Sequence, residues 1–528
     1  ALLMCMSITW AQNVAKIGTT GYPTLQDAVD DAYANMTGDV TIDLIADIEA
    51  YTVVRQKSGL NLTIDGGNKT INGQILIDGM GHLTSETLMI KDINFTGTGT
   101  TVGFTSMFFI SVPTPSNLPS PYTASRLSDA HNITIDSCSF NSTSTETPDN
   151  GLAAVSTSSG TQCNNLTVQN CTGTNLHSLV QVSGTTGLTV DGCTLTNSES
   201  FIGVQGGGGT YTVQNCNFST NLSTGYGLRS KSNSAAEITL SGNVFSASNA
   251  NVLQLGKGEG QDSNGSIYVE SGEYYGNIVN AQSASATAEF VFTGGTYSSD
   301  VTPECAPGYA AYANGTVPET WTVGPMPKVA KIGSVEYTSL QAALDSAHAN
   351  MTGDVTVELL KNIEGYSVIR QKAGLNLTIE GNNDTIAGQI MVDGDGRADG
   401  TETLTIQNIA FNGNRSNFCK KNDGTDSTDA FILVPSTKTS GWPYYTGKYN
   451  YAHNIEVKNC SFVSTSAALD VVGFKVPSGS GNYNTTINNV KGDNLHSFAQ
   501  LTGTTNSTFT NDTVTNSKSF VNVSGGAG

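Results

Sequence analysis

Positive charge is scarce in this 528-residue chain. It contains 24 Lys and Arg residues against 44 Asp and Glu residues, which gives a net charge of −20, and only 13% of its residues are charged. Proteins that bind a phosphate backbone need a concentrated basic face, and no cluster of Lys and Arg stands in the sequence. The composition therefore argues against a nucleic-acid partner, and the excess of acidic residues indicates solubility.

Long apolar runs are also missing, so the sequence predicts no membrane-spanning segment. The first eleven residues, ALLMCMSITWA, resemble the end of a secretory signal, with small residues around a cleavage position before Gln12. We therefore predict a secreted or cell-surface protein. Nine cysteines in an exported protein would ordinarily indicate disulfides, but their local context, described below, favours another interpretation.

What the chain does contain is a long internal repeat. The segment VAKIG at Val14–Gly18 returns at Val329–Gly333, and NLHS at Asn175–Ser178 returns at Asn494–Ser497. A repeat of this length indicates whole modules in tandem rather than the short unit of a simple solenoid. The predicted organisation is a signal remnant at 1–11, a first module at 12–327 and a second, incomplete module at 328–528.

Each copy opens with a short apolar strand and one amphipathic helix. Leu25, Ala28, Val29 and Ala32 fall at helical spacing behind Thr24, a suitable N-cap residue. The second copy has the corresponding pattern at Leu340, Ala343, Leu344 and Ala347, behind Ser339. We predict one helix of about three turns in each copy.

A succession of short alternating strands follows, each ending in an Asn, Asp or Gly turn. The second apolar residues of three such strands, Val168, Val190 and Val213, are 22 and 23 residues apart. This spacing is typical of one coil of a parallel β-helix. A leucine-rich repeat would need a regular Leu/Asn frame and helical returns, and an antiparallel sandwich would show hairpin turns every 8–12 residues. The parallel β-helix is favoured over both.

The run IDGGNKTINGQILIDG at Ile64–Gly79 resembles the early coils of right-handed β-helix proteins of the pectate-lyase-like superfold. The combination of VAKIG, YPTLQDAVDDA and DVTIDLI resembles the opening of repeats in bacterial adhesin-like surface proteins. This resemblance implies an all-β fold of tandem right-handed parallel β-helices, each opened by a strand and a capping helix. It also implies a structural or adhesive role.

Four cysteines, Cys138, Cys171, Cys193 and Cys216, occupy the same place in their coils. We therefore predict a ladder of stacked side chains. Cys171 corresponds to Val490 in the second copy, which indicates a small buried residue rather than an obligatory disulfide. Oxidation between neighbouring stacked thiols stays open as an alternative.

The sequence shows no catalytic constellation of the kind that lyases and hydrolases use on this fold, such as clustered acids with a basic residue. Arg55 and Lys57 precede a strand and are interpreted as a solvated turn. The duplicated His131/His453 and His177/His496 pairs are interpreted as products of duplication, with His177 at a strand edge. We therefore predict no enzymatic activity and no cofactor.

One acidic loop has the alternating oxygen ligands that Ca²⁺ favours, and its residues are Asp393, Asp395, Asp399 and Glu402. A plain polar turn is the competing interpretation. Many Asn-x-Ser/Thr triplets, among them Asn165, Asn170 and Asn459, would carry glycans in an exported eukaryotic protein. The same asparagines also suit the turns between strands.

Two function classes remain open on the sequence. The first is an extracellular structural or adhesive protein whose long Thr-, Ser- and Asn-rich face suits contact with a glycan or a surface protein. Because the second copy stops at Gly528, before the closing segment of the first, we also expect end-to-end association into a stalk or fibre. The second class is a polysaccharide lyase or hydrolase on the same scaffold.

Overall fold

The computed structural model describes residues 12–79, 85–98, 107–123, 129–144, 151–158, 162–258, 260–394, 400–420, 424, 428–435, 451–478 and 480–524. The chain divides into two compact units, Ala1–Pro325 and Met326–Gly528. Each unit is a right-handed parallel β-helix that is opened by short antiparallel strands and one helix. The predicted all-β fold class is therefore confirmed.

Helix α1 (Leu25–Asn35) and helix α2 (Leu340–Asn350) lie where the apolar spacing predicts them. The hydroxyl of Thr24 accepts the Asp27 backbone N–H at 3.0 Å, and that of Ser339 accepts the Ala342 N–H at 3.0 Å. Both are N-cap bonds, which typically stabilise a helix by about 1 kcal/mol. In each helix the four apolar residues named above are buried against the first coils. No helix among the described residues is long and apolar enough to cross a membrane.

The strands of unit 1 form three ladders, one strand of each coil in each ladder. The first ladder is a 12-stranded sheet in which the two opening strands pair antiparallel and the others parallel. Its strands are Ala15–Ile17, Thr20–Tyr22, Gly38–Leu44, Leu60–Asp65, Leu88–Lys91, Asp129–Asp136, Gln162–Gln169, Leu188–Asp191, Gly208–Gln214, Ala235–Ser241, Ile267–Val269 and Phe290–Phe292.

The second and third ladders of unit 1 together form an 18-stranded sheet. The second ladder comprises Thr70–Asn72, Asn94–Gly97, Ser139–Ser142, Thr172–Thr174, Thr194–Thr196 and Asn217–Ser219. The third ladder comprises Tyr51–Arg55, Gln74–Asp78, Phe108–Val112, Ala153–Thr157, Ser178–Val182, Ser200–Val204 and Tyr226–Ser230. The long strand Asn243–Leu255 and then Gly272–Asn280 continue both ladders, and Thr296–Tyr297, Tyr309–Ala313 and Trp321–Pro325 complete the sheet.

Unit 2 repeats this plan with fewer coils. Its first ladder is an 8-stranded sheet of Ala330–Ile332, Val335–Tyr337, Gly353–Leu359, Leu375–Glu380, Leu404–Gln407, Tyr451–Lys458, Gly481–Asn488 and Thr504–Thr510. Its second sheet contains Ile363–Arg370, Thr385–Asp393, Ala410–Gly413, Ala430–Leu433, Ser461–Ser464, Val472–Val476, Lys491–Asp493, Ser497–Leu501, Thr513–Thr515 and Ser519–Val523. Short 3-10 helices lie at Pro115–Asn117, Thr302–Glu304 and Arg415–Asn417.

The alternation of side chains along each strand sets the register of the coils. In the first ladder of unit 1, Val168 pairs with Val190 and Val190 with Val213, as their spacing predicts. All three are fully buried, because residues on one face of a strand point into the helix and their neighbours point out. Each such side chain contributes roughly 1.5–3 kcal/mol by leaving water. A one-residue slip would turn every buried side chain outward, so the pattern fixes the pairing.

The cysteines stack as the sequence predicts. Cys138, Cys171, Cys193 and Cys216 are at most 1% exposed, and the thiol of Cys171 donates to the backbone carbonyl of Gln169 at 3.1 Å. The neighbouring thiols of Cys138 and Cys193, together with burial, raise the pKa of Cys171. The eight cysteines that the structure describes are all free thiols.

Candidate functional site

The outward-facing residues of the third ladder in unit 1 form one continuous row. We call it the outer row, and its members, paired in register from coil to coil, are Val53, Leu76, Ser111, Ser156, Gln181, Gly203, Arg229 and Gln254. Neighbouring parallel strands lie about 4.8 Å apart, so the row extends for about 34 Å. Its chemistry changes from apolar at one end to polar and cationic at the other.

The apolar end of the outer row is covered. Leu118 packs on Val53 and Leu76, with Tyr122 partly buried against the same cluster. Leu118 directly follows the 3-10 helix Pro115–Asn117, which brings this segment across the sheet. Ser111, the next member of the outer row, is 2% exposed, so the row is still largely covered there.

A groove of about 650 Å³ lies at this point. One part of its wall is apolar and the rest carries hydroxyl, amide and imidazole groups, so the groove offers both a packing surface and hydrogen-bonding partners. Its lining residues are Met107, Phe108, Ser111, Pro113, Ser116, Asn117, Leu118, Gly151, Ser158, His177 and Gln181.

His177 is held in place by an acidic residue of the next coil. Its Nδ1 lies 2.7 Å from Oε2 of Glu199, and both side chains are largely buried. The two residues precede the paired strands Ser178–Val182 and Ser200–Val204, so strand register brings them side by side. Because Nδ1 faces Glu199, Nε2 is the ring nitrogen that this contact leaves unengaged.

Beyond the groove, an aromatic side chain lies across the outer row at Gly203. A Cβ on Gly203 would come within 2.8 Å of the Tyr226 hydroxyl oxygen, so the glycine makes room for that ring. The guanidinium carbon of Arg229 lies 3.9 Å from the centre of the Tyr226 ring, a cation–π contact. Burial raises the pKa of Tyr226, which keeps its hydroxyl protonated.

Unit 2 builds the same face with different chemistry. The corresponding row passes through Leu433, Lys475 and Gln500, and Lys475 is neutralised by Asp429 at 2.5 Å. His496 occupies the place of His177, but Lys518 stands where unit 1 has Glu199. The His496 Nδ1 instead lies 3.1 Å from the Ser497 hydroxyl and 3.3 Å from the Gln500 amide.

The four predicted calcium ligands are only partly described. Asp393 ends the strand Thr385–Asp393, whereas Asp395 and Asp399 lie outside the described residues. Oε1 of Glu402 accepts the Gly374 backbone N–H at 2.7 Å, and its Oε2 lies 3.7 Å from the buried His453 Nε2. Glu402 thus links coils of unit 2, and calcium binding by this loop stays a prediction.

Arg55 and Lys57 differ from the solvated turn that the sequence suggested. Arg55 forms an ion pair with Asp30 at 2.7 Å and stacks on Tyr33. The Lys57 ammonium donates to the backbone carbonyls of Tyr33 and Met36, at the carboxyl end of α1. A cation there satisfies free carbonyls and interacts favourably with the helix dipole. Lys372 makes the same contacts at α2, so both positions serve the capping helices.

The two histidine pairs behave differently. His131 is 3% exposed and its backbone is held by the Gln56 side chain, so it belongs to the interior. His177 does precede a strand, as predicted, but no sequence pattern indicated that it lines a groove. A usable signal was present, since Glu199 follows His177 by 22 residues, the length of one coil.

The predicted polar face is present on the first ladder of unit 1. Thr134, Thr167, Thr189, Thr212 and Thr239 pair in register on its outer side. The turn asparagines are bound within this face, since the amide of Asn165 donates to Asn132 and that of Asn170 donates to Asp136. Glycosylation of such residues stays a prediction, and it would have to disrupt these bonds.

Residues 116–283 match the family model described as a right-handed beta helix region. Among solved structures, the chain is similar to the A-module of a mannuronan C-5 epimerase from Azotobacter vinelandii, with 11% identity, a TM-score of 0.25, and coverage of 93% of this chain and 94% of that chain. A mannuronic acid specific family 6 polysaccharide lyase from human gut microbiota gives 11% identity, a TM-score of 0.26 and coverage of 93% and 80%.

A tailspike protein of E. coli bacteriophage HK620 gives 13% identity, a TM-score of 0.18 and coverage of 94% and 62%. These scores support no conclusion about activity. A comparison with curated protein sequences gives no match. The strand ladders and the matched family model together identify this chain as a right-handed parallel β-helix protein.

Proposed function

We propose that this chain is an extracellular structural and adhesive module that contacts a glycan through the groove of unit 1. The observation that carries the proposal is the chemistry of the groove wall. Hydroxyl, amide and imidazole groups stand beside an apolar surface, and none of the described lining residues is a carboxylate. This combination suits the hydroxyls and the apolar face of a sugar.

The scaffold supports a binding role over a catalytic one. Glycoside hydrolysis usually employs two carboxylates across the scissile bond, and the carboxylate of Glu199, which contacts the groove residue His177, is engaged by that imidazole. Ser111 and Gln181 are instead carried on paired strands with buried neighbours, which fix their positions before a ligand arrives. Such preorganisation reduces the conformational entropy lost on binding.

One observation favours the alternative of a polysaccharide lyase or hydrolase. An imidazole whose Nδ1 faces a carboxylate is the arrangement that orients a histidine for proton transfer, and His177 has it. Activity would then depend on His177 and would release new reducing or unsaturated ends from a polysaccharide.

The test is a binding and product assay of the full chain against a panel of neutral and acidic polysaccharides. Binding without new reducing or unsaturated ends is the expected result. Gln181→Ala should weaken binding about three- to tenfold, the effect of one lost hydrogen bond. Gln500→Ala removes the residue at the same place in unit 2 and should leave the binding affinity unchanged. Product formation that is lost in His177→Ala would replace the adhesive role by an enzymatic one, and no binding at all would reject the proposal.

A further inference from the structure

The few positive charges in the second half of unit 1 are gathered at one place. Between Ser137 and Pro327 the sequence contains only three Lys or Arg residues, namely Arg229, Lys231 and Lys257. Arg229 is a member of the outer row, and Lys231 follows it at the end of the same strand. We call these three residues the cationic cluster.

Stacking of the coils brings Lys257 to the other two. It is 26 residues from Lys231 in sequence, but the Gly256 backbone N–H donates to the Ser230 carbonyl of the preceding coil. Burial lowers the pKa of Lys231, and the charges of Arg229 and Lys257 lower it further. Lys231 is therefore close enough to Arg229 and to Lys257 for repulsion, which costs free energy in the absence of an anion.

Several other cations of the chain are paired with a carboxylate. Five lysines lie within 4 Å of a carboxylate, in the pairs Lys16–Asp43, Lys91–Asp65, Lys331–Glu358, Lys458–Glu456 and Lys475–Asp429. Among the described residues, the members of the cationic cluster have no such partner. Arg229 stacks on Tyr226, and the Lys231 ammonium donates to the Gln261 side chain at 3.3 Å.

The cationic cluster lies close to the groove along the outer row. In the outer row, Arg229 is separated from Gln181 only by Gly203, which is about 10 Å for two coil spacings. A ligand that lies along the row from the groove would pass Tyr226 and reach the cationic cluster.

We propose that the cationic cluster binds anionic groups of an acidic glycan whose sugar units occupy the groove. This inference rests on the proposed function and adds the ligand class, a polysaccharide bearing carboxylate or sulfate groups. The guanidinium and ammonium groups supply charge-assisted hydrogen bonds to such anions. The net charge of −20 limits the attraction of a long polyanion to this one place.

The experiment measures calorimetric binding of the full chain to an oligouronate of about six units, to its carboxyl-reduced neutral counterpart and to a sulfated oligosaccharide. The wild-type chain should bind one of the two anionic ligands at least about tenfold more tightly than the neutral one, and the preferred anion distinguishes carboxylate from sulfate. Lys231→Gln combined with Lys257→Gln should remove this preference and leave neutral binding unchanged.

The matched control is Lys491→Gln combined with Lys518→Gln, which makes the same change in net charge in unit 2 and should leave the preference intact. Equal affinity for neutral and anionic ligands would overturn the cationic cluster as a site while the proposed glycan contact stands. Absence of binding to all three ligands would reject both. Binding of double-stranded DNA as tight as that of the best oligosaccharide would also overturn the assignment to an acidic glycan.

Discussion

Nδ1 of His177 lies 2.7 Å from Oε2 of Glu199, across the boundary between two adjacent coils. The second copy keeps the histidine as His496 but replaces the acid by Lys518. Duplication has therefore produced two faces with the same backbone and opposite charge beside the imidazole. Exchanging these two residues between the copies therefore introduces side chains that the protein already carries at the equivalent position.

Glu199→Lys gives unit 1 the residue of unit 2 at this position. Because the imidazole loses the carboxylate that orients it, we expect binding of a groove ligand to weaken about tenfold, the loss of one charge-assisted hydrogen bond. The affinity is measured by calorimetry with a neutral oligosaccharide that the wild-type chain binds, because the added positive charge would itself attract an anionic ligand. Lys518→Glu, the reverse exchange in unit 2, should leave that affinity unchanged. Equal affinity of the Glu199→Lys variant and the wild type would remove His177 from the site.

A second exchange between copies concerns the ion pair of Lys91 and Asp65, which join neighbouring coils at 2.5 Å. Burial alone raises the pKa of Asp65, but hydrogen bonds from Lys91 and the Gly67 N–H outweigh it and lower that pKa overall. In unit 2, Gln407 takes the place of the lysine and donates to Glu380 at 2.7 Å. Lys91→Gln should therefore keep a hydrogen bond and lose the charge.

We expect Lys91→Gln to lower the free energy of unfolding at pH 7 by about 0.5–1 kcal/mol. A carboxyl whose pKa is lowered by folding stabilises the protein above its unfolded pKa of about 3.9, and this contribution disappears as the pH falls through the folded value. The difference between variant and wild type should accordingly shrink below about pH 4. Urea unfolding between pH 2.5 and 7 measures it, and a difference independent of pH would contradict the ion-pair explanation.

The cysteine ladder gives a prediction about buried volume and polarity. Cys171→Val introduces the residue found at the equivalent Val490, which is also fully buried, and should change the free energy of unfolding by less than about 1.5 kcal/mol. Cys171→Ser places a hydroxyl among apolar neighbours and should cost about 1–3 kcal/mol. Chemical denaturation of both variants checks this. A larger loss for valine than for serine would show that the thiol hydrogen bonds matter more than burial.

The turns between ladders require a left-handed backbone. Asn170 has φ of 53°, its amide donates to Asp136 at 2.9 Å, and Gly192 takes the same conformation in the next coil. Asn170→Val should lower the free energy of unfolding by about 2–3 kcal/mol, because it combines backbone strain with a lost hydrogen bond. Asn170→Gly should cost about 1 kcal/mol. Asn141→Val, the same replacement at an exposed strand residue, should stay within about 0.5 kcal/mol, and equal effects at both positions would refute the conformational argument.

Much of the fold follows from local sequence patterns. Thr24 and Ser339 cap helices directly before the first of their buried apolar residues, and the spacing of Val168, Val190 and Val213 predicts successive coils. The strands of the third ladder are harder to predict from the sequence. There, Phe109 and Ile110 are consecutive and both buried, so strict alternation fails and the outward residue Ser111 cannot be identified from the pattern alone.

The candidate site was missed for a related reason. His177 and Glu199, like Lys231 and Lys257, are separated by about one coil, and neither pair is a recognisable motif in sequence. The positions of the rare cations were a readable signal, because only three occur between Ser137 and Pro327. Whether these three cations lie together in the folded chain depends on the length of each coil, and that length varies with the turns.

The β-helix, its duplicated opening and the buried ladders can be predicted from the amino-acid sequence, because they depend on short periodic patterns of apolar, Asn and Gly residues. Which polar residues share a surface becomes visible only in the folded chain. The outer row takes one residue from each coil, and its groove depends on the segment around Leu118 lying across the sheet. Side chains meet there through hydrogen-bond register between distant strands, and that register is fixed only when the coils stack.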